Sequence, residues 1–169
     1  MLPCNRGNGV IYPELLESSF DKLPRALRHF HSSPSGGRAV GTVTVSRHNR
    51  VIAWLVGFPP SGSQLPLKLE VTVREDREVW VRQFGDFVMK SVQRRAGELL
   101  LETFGPLRVF IRILADESGM RFISERARWW IVPVPVRVEA RAFGNESSWS
   151  FEVTVAGVGS YRGKVTLDG

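Results

Sequence analysis

Glu98, Glu102, Arg112, Glu125, Arg126 and Arg128 fall among Leu100, Phe104, Phe110, Trp129 and Trp130, so charge interrupts runs that otherwise read as apolar strands. A charge buried without a partner is very costly, so any of these that points inward must be paired or must meet a ligand. An arginine at the base of an apolar barrel suits a carboxylate or phosphate head group. The plainer alternative is that these residues face water or pair across strands, and it is the weightier of the two. Trp80, Trp129, Trp130 and Trp149 either line a cavity or fill a core. The candidate ligand-binding set is Trp80, Arg82, Glu102, Arg112, Arg126, Arg128, Trp130 and Tyr161.

Other chemistries find less support. The three histidines are His29, His31 and His48. His29 and His31 are two apart at the end of a short helix, would point to different faces, and have no carboxylate at ligand spacing. No metal site is expected, and nothing marks an axial haem ligand. The single cysteine, Cys4, excludes an intramolecular disulfide and a multi-thiolate zinc site. No Gly-x-Ser-x-Gly elbow is present, and no Gly-x-Gly-x-x-Gly follows a strand and opens a helix. Gly157-Val158-Gly159 lies between two strands and reads as a turn. No catalytic residue and no cofactor are assigned on these grounds.

With 169 residues, 43% of them hydrophobic, the chain suits one domain with a real core. The expected division is a loose tail over residues 1–11 and a single barrel-like domain over 12–169. The net charge is +6, nearly all of it arginine. Those arginines are spread singly with acids nearby, as in Arg74-Glu75-Asp76-Arg77, and no RNA-binding box appears, so no nucleic-acid role is expected. No apolar run is long enough to span a bilayer as a helix. The N-terminus lacks the pattern of a secretory signal, and a cytoplasmic location follows by default.

The elements that must position the candidate residues are mostly strands. Leu15, Leu16, Phe20 and Leu23, then Ala26, Leu27 and Phe30, predict two short helices, with Pro13 at the first position of the first helix. Arg38 to Ser46 alternates as a first strand. Asn49 would cap a helix over Arg50 to Val56 that buries Val51, Trp54 and Leu55, although the same residues could form a strand. Leu65 to Leu167 then reads as an antiparallel meander. Its one-sided strands carry Leu67/Leu69/Val71/Val73, Leu107/Val109/Ile111/Ile113, Val136/Val138/Ala140/Ala142 and Trp149/Phe151/Val153/Val155. Glu78 to Phe84, Phe87 to Arg94 and Met120 to Trp130 are apolar on both faces, which predicts a cover from the N-terminal helices or a partner chain. About ten strands of this kind should curl or close, because closure removes the edges. The expected fold is mainly β, a calycin-like barrel or half-barrel with short N-terminal helices.

The order Tyr12-Pro13-x-Leu15, Phe20-Asp21-x-Leu23-Pro24, Gly57-Phe58-Pro59-Pro60-x-Gly62, Trp80-x-Arg82-x-Phe84-Gly85, Phe104-Gly105-Pro106-Leu107, Trp129-Trp130 before Pro133-x-Pro135, and Tyr161-x-Gly163 resembles a bacterial family known as domain of unknown function 4166. The resemblance runs from about Tyr12 to Val165. It implies a partner rather than a mechanism, since members of that family occur alone or behind a saccharopine-dehydrogenase-like, NAD(P)-binding domain. This sequence lacks such a part, so no nicotinamide cofactor is assigned. Three expectations follow. The first is a non-catalytic barrel for a small hydrophobic or amphipathic (acyl) ligand. The second is an accessory domain with a reductase-type partner, or a homodimer. The third, ranked last, is a barrel isomerase or cyclase.

Overall fold

Alternation at period two turns every second side chain of each long strand inward, and the short turns between strands leave no choice but antiparallel pairing. The computed structural model describes residues 10–168. It opens with α1 (Ile11–Leu16), a tight helical turn over Glu17–Lys22, and α2 (Arg25–Ser32). Strand β1 (Gly37–Arg47) follows, then α3 (Arg50–Leu55). The remainder is strand: β2 (Gly62–Arg74), β3 (Arg77–Phe84), β4 (Phe87–Ala96), β5 (Leu99–Phe104), β6 (Leu107–Asp116), β7 (Gly119–Trp129), β8 (Val132–Val134), β9 (Val138–Gly144), β10 (Ser148–Val155) and β11 (Gly159–Leu167).

The strand order is β6-β5-β4-β3-β2-β1-β11-β10-β9-β7-β8, and β6 also pairs with β7. That last ladder closes the sheet into a ten-stranded, calycin-like barrel. The three-residue β8 lies outside the count because it and β9 pair with successive halves of β7. Closure leaves the long strands without free edges. At one place β1 and β11 approach so closely that a Cβ at Gly41 would sit 1.9 Å from the Lys164 carbonyl oxygen, which only glycine permits.

The barrel has two unlike ends. At one end lie the turns β2–β3, β4–β5, β6–β7 and β9–β10, and there α1 and α2 plug the barrel. Tyr12, Leu27 and Phe30 are buried in this plug. Phe30 packs 4.9 Å from the Trp149 ring and 5.7 Å from the Trp80 ring, centroid to centroid. At the other end lie α3 and the turns β3–β4, β5–β6, β7–β8 and β10–β11.

The two-sided strands need no outer cover. In β3 and β4 the inward residues are Glu78, Trp80, Arg82 and Phe84, and Phe87, Met89, Ser91 and Gln93; the outward valines sit half-buried or exposed between charged neighbours. In β7 the pairing with β6 slips by one residue, Phe110 facing Arg126 but Ile111 facing Ser124. This bulge at Glu125 switches the inward set from Met120 and Phe122 to Ala127 and Trp129. A strand with a parity switch mimics one that is apolar on both faces. The N-terminal helices enter the barrel end rather than covering an outer face.

Two local expectations also change. The α3 segment is a helix, capped by the Asn49 side chain, which accepts from the N–H groups of Val51 and Ile52 at 3.1 Å each. Only Ala53 of this helix is buried, however, and Val51, Trp54 and Leu55 stand in solvent. At the N-terminus, residues 1–9 lie outside the described residues, while Val10 and Ile11 are buried and Ile11 opens α1, placing Pro13 third rather than first.

Candidate functional site

Inside the barrel is a cavity of about 190 Å³. Its floor is the helical plug, through Tyr12, Phe30 and His31. Val56, Gly57 and Phe58, which follow α3, line it at the opposite end. The β9–β10 wall is mainly apolar, built from Val138, Ala140, Ala142, Phe151, Val153 and Val155, with Arg141 of β9 also contributing to it. The inward faces of β3, β4 and β5 place Arg82, Gln93 and Glu102 along the lining, with Ser91 behind them. The lining is therefore amphipathic: one polar stripe in a mainly apolar chamber.

Strand register brings the stripe together. Glu78 lies opposite Gln93, Trp80 opposite Ser91, and Gln93 opposite Glu102. Arg82 donates from Nη2 to Glu102 Oε1 at 2.7 Å and from Nη1 to Ser91 Oγ at 2.8 Å. The Ser91 hydroxyl donates to the same Glu102 oxygen at 2.6 Å. The Arg82 guanidinium carbon lies 4.9 Å from the Trp80 ring centroid, a cation–π contact strengthened by exclusion of water. Burial disfavours the Arg82 charge, but Glu102, with Tyr161 and Tyr12, outweighs it and holds the pKa above its usual value. The stripe thus contains a desolvated ion pair that is neutral as a unit. The two bonds named occupy two of the five guanidinium donors, so Arg82 keeps capacity to meet a polar group beside the pair.

Two further polar links anchor the plug. The Tyr12 hydroxyl donates to Gln93 Oε1 at 2.9 Å. Glu78 accepts the Ile11 N–H on Oε1 at 3.2 Å and the Trp80 indole N–H on Oε2 at 3.1 Å. Ile11 begins α1, so Glu78 satisfies an N–H at the start of that helix. Burial pushes the Glu78 carboxyl up to about 7 against those two hydrogen bonds. His31, packed with its ring centroid 4.0 Å from that of Tyr12, is pushed by burial down to about 3 and is neutral at pH 7. Tyr161 sits among Phe58, Phe84 and Phe151, and burial raises its phenol to about 12 although Arg82 opposes this. Beside the ion pair, Tyr12, His31, Gln93 and Tyr161 offer neutral polar groups at pH 7, while the Glu78 carboxyl behind the plug is near its midpoint there.

The candidate set divides. Trp80, Arg82, Glu102 and Tyr161 converge on the chamber. Arg112 points outward and pairs with Glu125, Nε to Oε1 2.6 Å, through side chains nearly half exposed. Arg126 lies outside with its guanidinium carbon 4.2 Å above the Phe110 ring. Arg128 is exposed opposite Arg108, and Trp130 is exposed at a turn. Tyr12, Glu78, Ser91, Gln93 and His31 went unrecognised. Glu78 had a legible signal, since it shares the parity of Trp80 and Phe84; Ser91 and Gln93 had none without the β3–β4 register. Among the described residues, no group of three or more His, Cys, Asp or Glu side chains could hold a metal ion.

The family model described as Domain of unknown function (DUF4166) matches residues 23–161, well over half of the chain. The chain belongs to that family. No curated protein and no solved structure matches it.

Proposed function

We propose that this member of the DUF4166 family is a non-catalytic barrel that holds a small hydrophobic or amphipathic ligand in its chamber. The observation that supports this reading is the amphipathic lining: a mainly apolar wall facing the Arg82–Ser91–Glu102 cluster within a closed barrel. Ligand sites are concave and mostly apolar, with a few placed polar groups. At about 190 Å³ the chamber is smaller than the ~300–1,000 Å³ of drug-sized pockets. Its guest is a short or slender molecule, such as an acyl chain whose head group meets Arg82, or a single aromatic ring.

The test is direct. The purified protein is extracted with organic solvent and analysed by mass spectrometry, and a fluorescent acyl probe is titrated into the extracted protein. The expected result is saturable binding, displaced by a fatty acid and abolished by Val153→Trp, which fills the chamber. Failure of every acyl and aromatic probe to bind would overturn the reading. An accessory role beside a reductase-type partner is the alternative that the family resemblance suggests. It predicts a stable complex with such a partner in which the chamber stays empty.

A further inference from the structure

At the end away from the plug, apolar side chains stand in water on two opposing rims. On the β1–β2 rim, α3 exposes Val51 and Trp54, each at 75%, with Leu55 at 57%. On the β6–β7 rim, the β7–β8 turn exposes Trp130 at 66% and Ile131 at 82%, with Val132 beside them. Large apolar residues gathered at one end of a molecule mark an interaction surface. The turn is also strained. Trp130 occupies φ 57 in a two-residue hairpin turn, a left-handed position that glycine favours, as Glu75 does at φ 45 in the β2–β3 turn of the plugged end, so the strain holds the turn but does not by itself mark the rim.

Charge selects the occupant. Connections at the plugged end carry eight acids, Glu14, Glu17, Asp21, Glu75, Asp76, Glu98, Glu117 and Glu146, against the three bases Lys22, Arg25 and Arg28. Connections at the rim end carry one acid, Asp86, together with Arg50 and His48. Behind the Trp130 turn, Arg108 and Arg128 lie directly opposite each other on the outer face, with Arg126 two residues further on. Like charges in cross-strand register repel, and among the described residues none of Arg50, Arg108, Arg126 or Arg128 has a carboxylate partner. Exposed tryptophans with adjacent arginines suit the interface of a bilayer bearing anionic head groups.

We propose that the rim end docks on an anionic lipid surface, with Trp54 and Leu55 on one side and Trp130 and Ile131 on the other seated among the head groups. Docked this way, the Val56–Phe58 end of the chamber faces the acyl region. The docking is read from the rim alone and does not require that the chamber be occupied.

The experiment is co-sedimentation of the full chain with vesicles of phosphatidylcholine alone or mixed with phosphatidylglycerol, at low and high salt. Binding to the mixed vesicles should exceed binding to neutral ones by roughly tenfold or more and should weaken with salt. Trp54→Ser combined with Ile131→Ser should reduce it about tenfold, with acyl-probe binding and the circular dichroism spectrum unchanged. Arg108→Gln combined with Arg128→Gln should flatten the salt dependence. Equal binding of the variants and the parent, or no preference for anionic vesicles, would overturn the proposal. So would tight binding to a single-stranded oligonucleotide without vesicle binding, or a solution dimer that protects Trp54 and Trp130. Loss of acyl-probe binding in the parent would overturn the ligand reading and leave the docking standing.

Discussion

The two ends of the barrel are built from similar residues put to opposite use. At the plugged end Tyr12, Leu27 and Phe30 are driven into the barrel and anchored by Glu78 and Gln93. At the rim end an equally apolar helix, α3, buries one alanine and leaves a tryptophan in water. The difference is one of reach. The α1–α2 unit packs against β1, β4, β6, β9, β10 and β11, whereas the six residues of α3 between β1 and β2 bury only Ala53. Apolar content therefore does not decide burial here; the space available to each helix does.

The contrast predicts a ladder of mutational costs. Phe30→Ala, which empties a site between Trp80 and Trp149, should cost about 3–5 kcal/mol in urea denaturation. A cost below about 1 kcal/mol would mean that the plug is not part of the core. Glu102→Gln leaves Arg82 buried without its counter-charge and should cost about 3 kcal/mol, the low end for a broken buried pair, since both side chains keep slight exposure. The double replacement Arg82→Met with Glu102→Leu should recover most of that stability while reducing affinity for any acyl ligand bearing a carboxylate. If it retained full affinity, the polar stripe would have no part in recognition.

A smaller effect separates the plug anchor from the rest. Glu78 has its carboxyl raised from the usual 4.5 to about 7. Between these values the unfolded chain has released the proton and the folded chain retains it, so this group lowers stability as pH rises from about 4.5 to about 7. His31, depressed from 6.5 to about 3, acts in the opposite sense between those values, its stabilising contribution being lost as pH falls. The wild-type profile mixes the two, so the informative quantity is the difference between wild type and Glu78→Gln. That difference should slope through pH 4.5–7 and be flat above it. A flat difference throughout would show that Glu78 is not buried in the fold. The smallest effect belongs to the rim. Trp54→Ser should change stability by no more than about 0.5 kcal/mol, because the ring is three-quarters exposed. A loss comparable to that of Phe30→Ala would show that α3 closes over the chamber.

Much of the fold was legible because alternation at period two is a local property. Leu107, Val109, Ile111 and Ile113 point inward, as do Val136, Val138, Ala140 and Ala142, just as their spacing predicts. The failures arose where a feature depended on a neighbouring strand. The bulge at Glu125 leaves no composition signal, so β7 read as a strand apolar on both faces. The β7–β8 turn at Trp130–Ile131 lacks the glycine or asparagine that such a turn normally shows. Within the candidate site, Trp80, Arg82, Glu102 and Tyr161 meet in the chamber, while Arg112, Arg126 and Arg128 share their composition but not their inward parity.

By itself, then, the sequence determined the strands, most of their inward faces and the probability of closure, because each follows from which residues alternate and where the chain can turn. Only the tertiary structure decided which charges share the interior, that the plug enters one end, and that α3 stands exposed at the other. Those outcomes rest on register between strands far apart in the chain, and on the free energy of burying a group at one place rather than another.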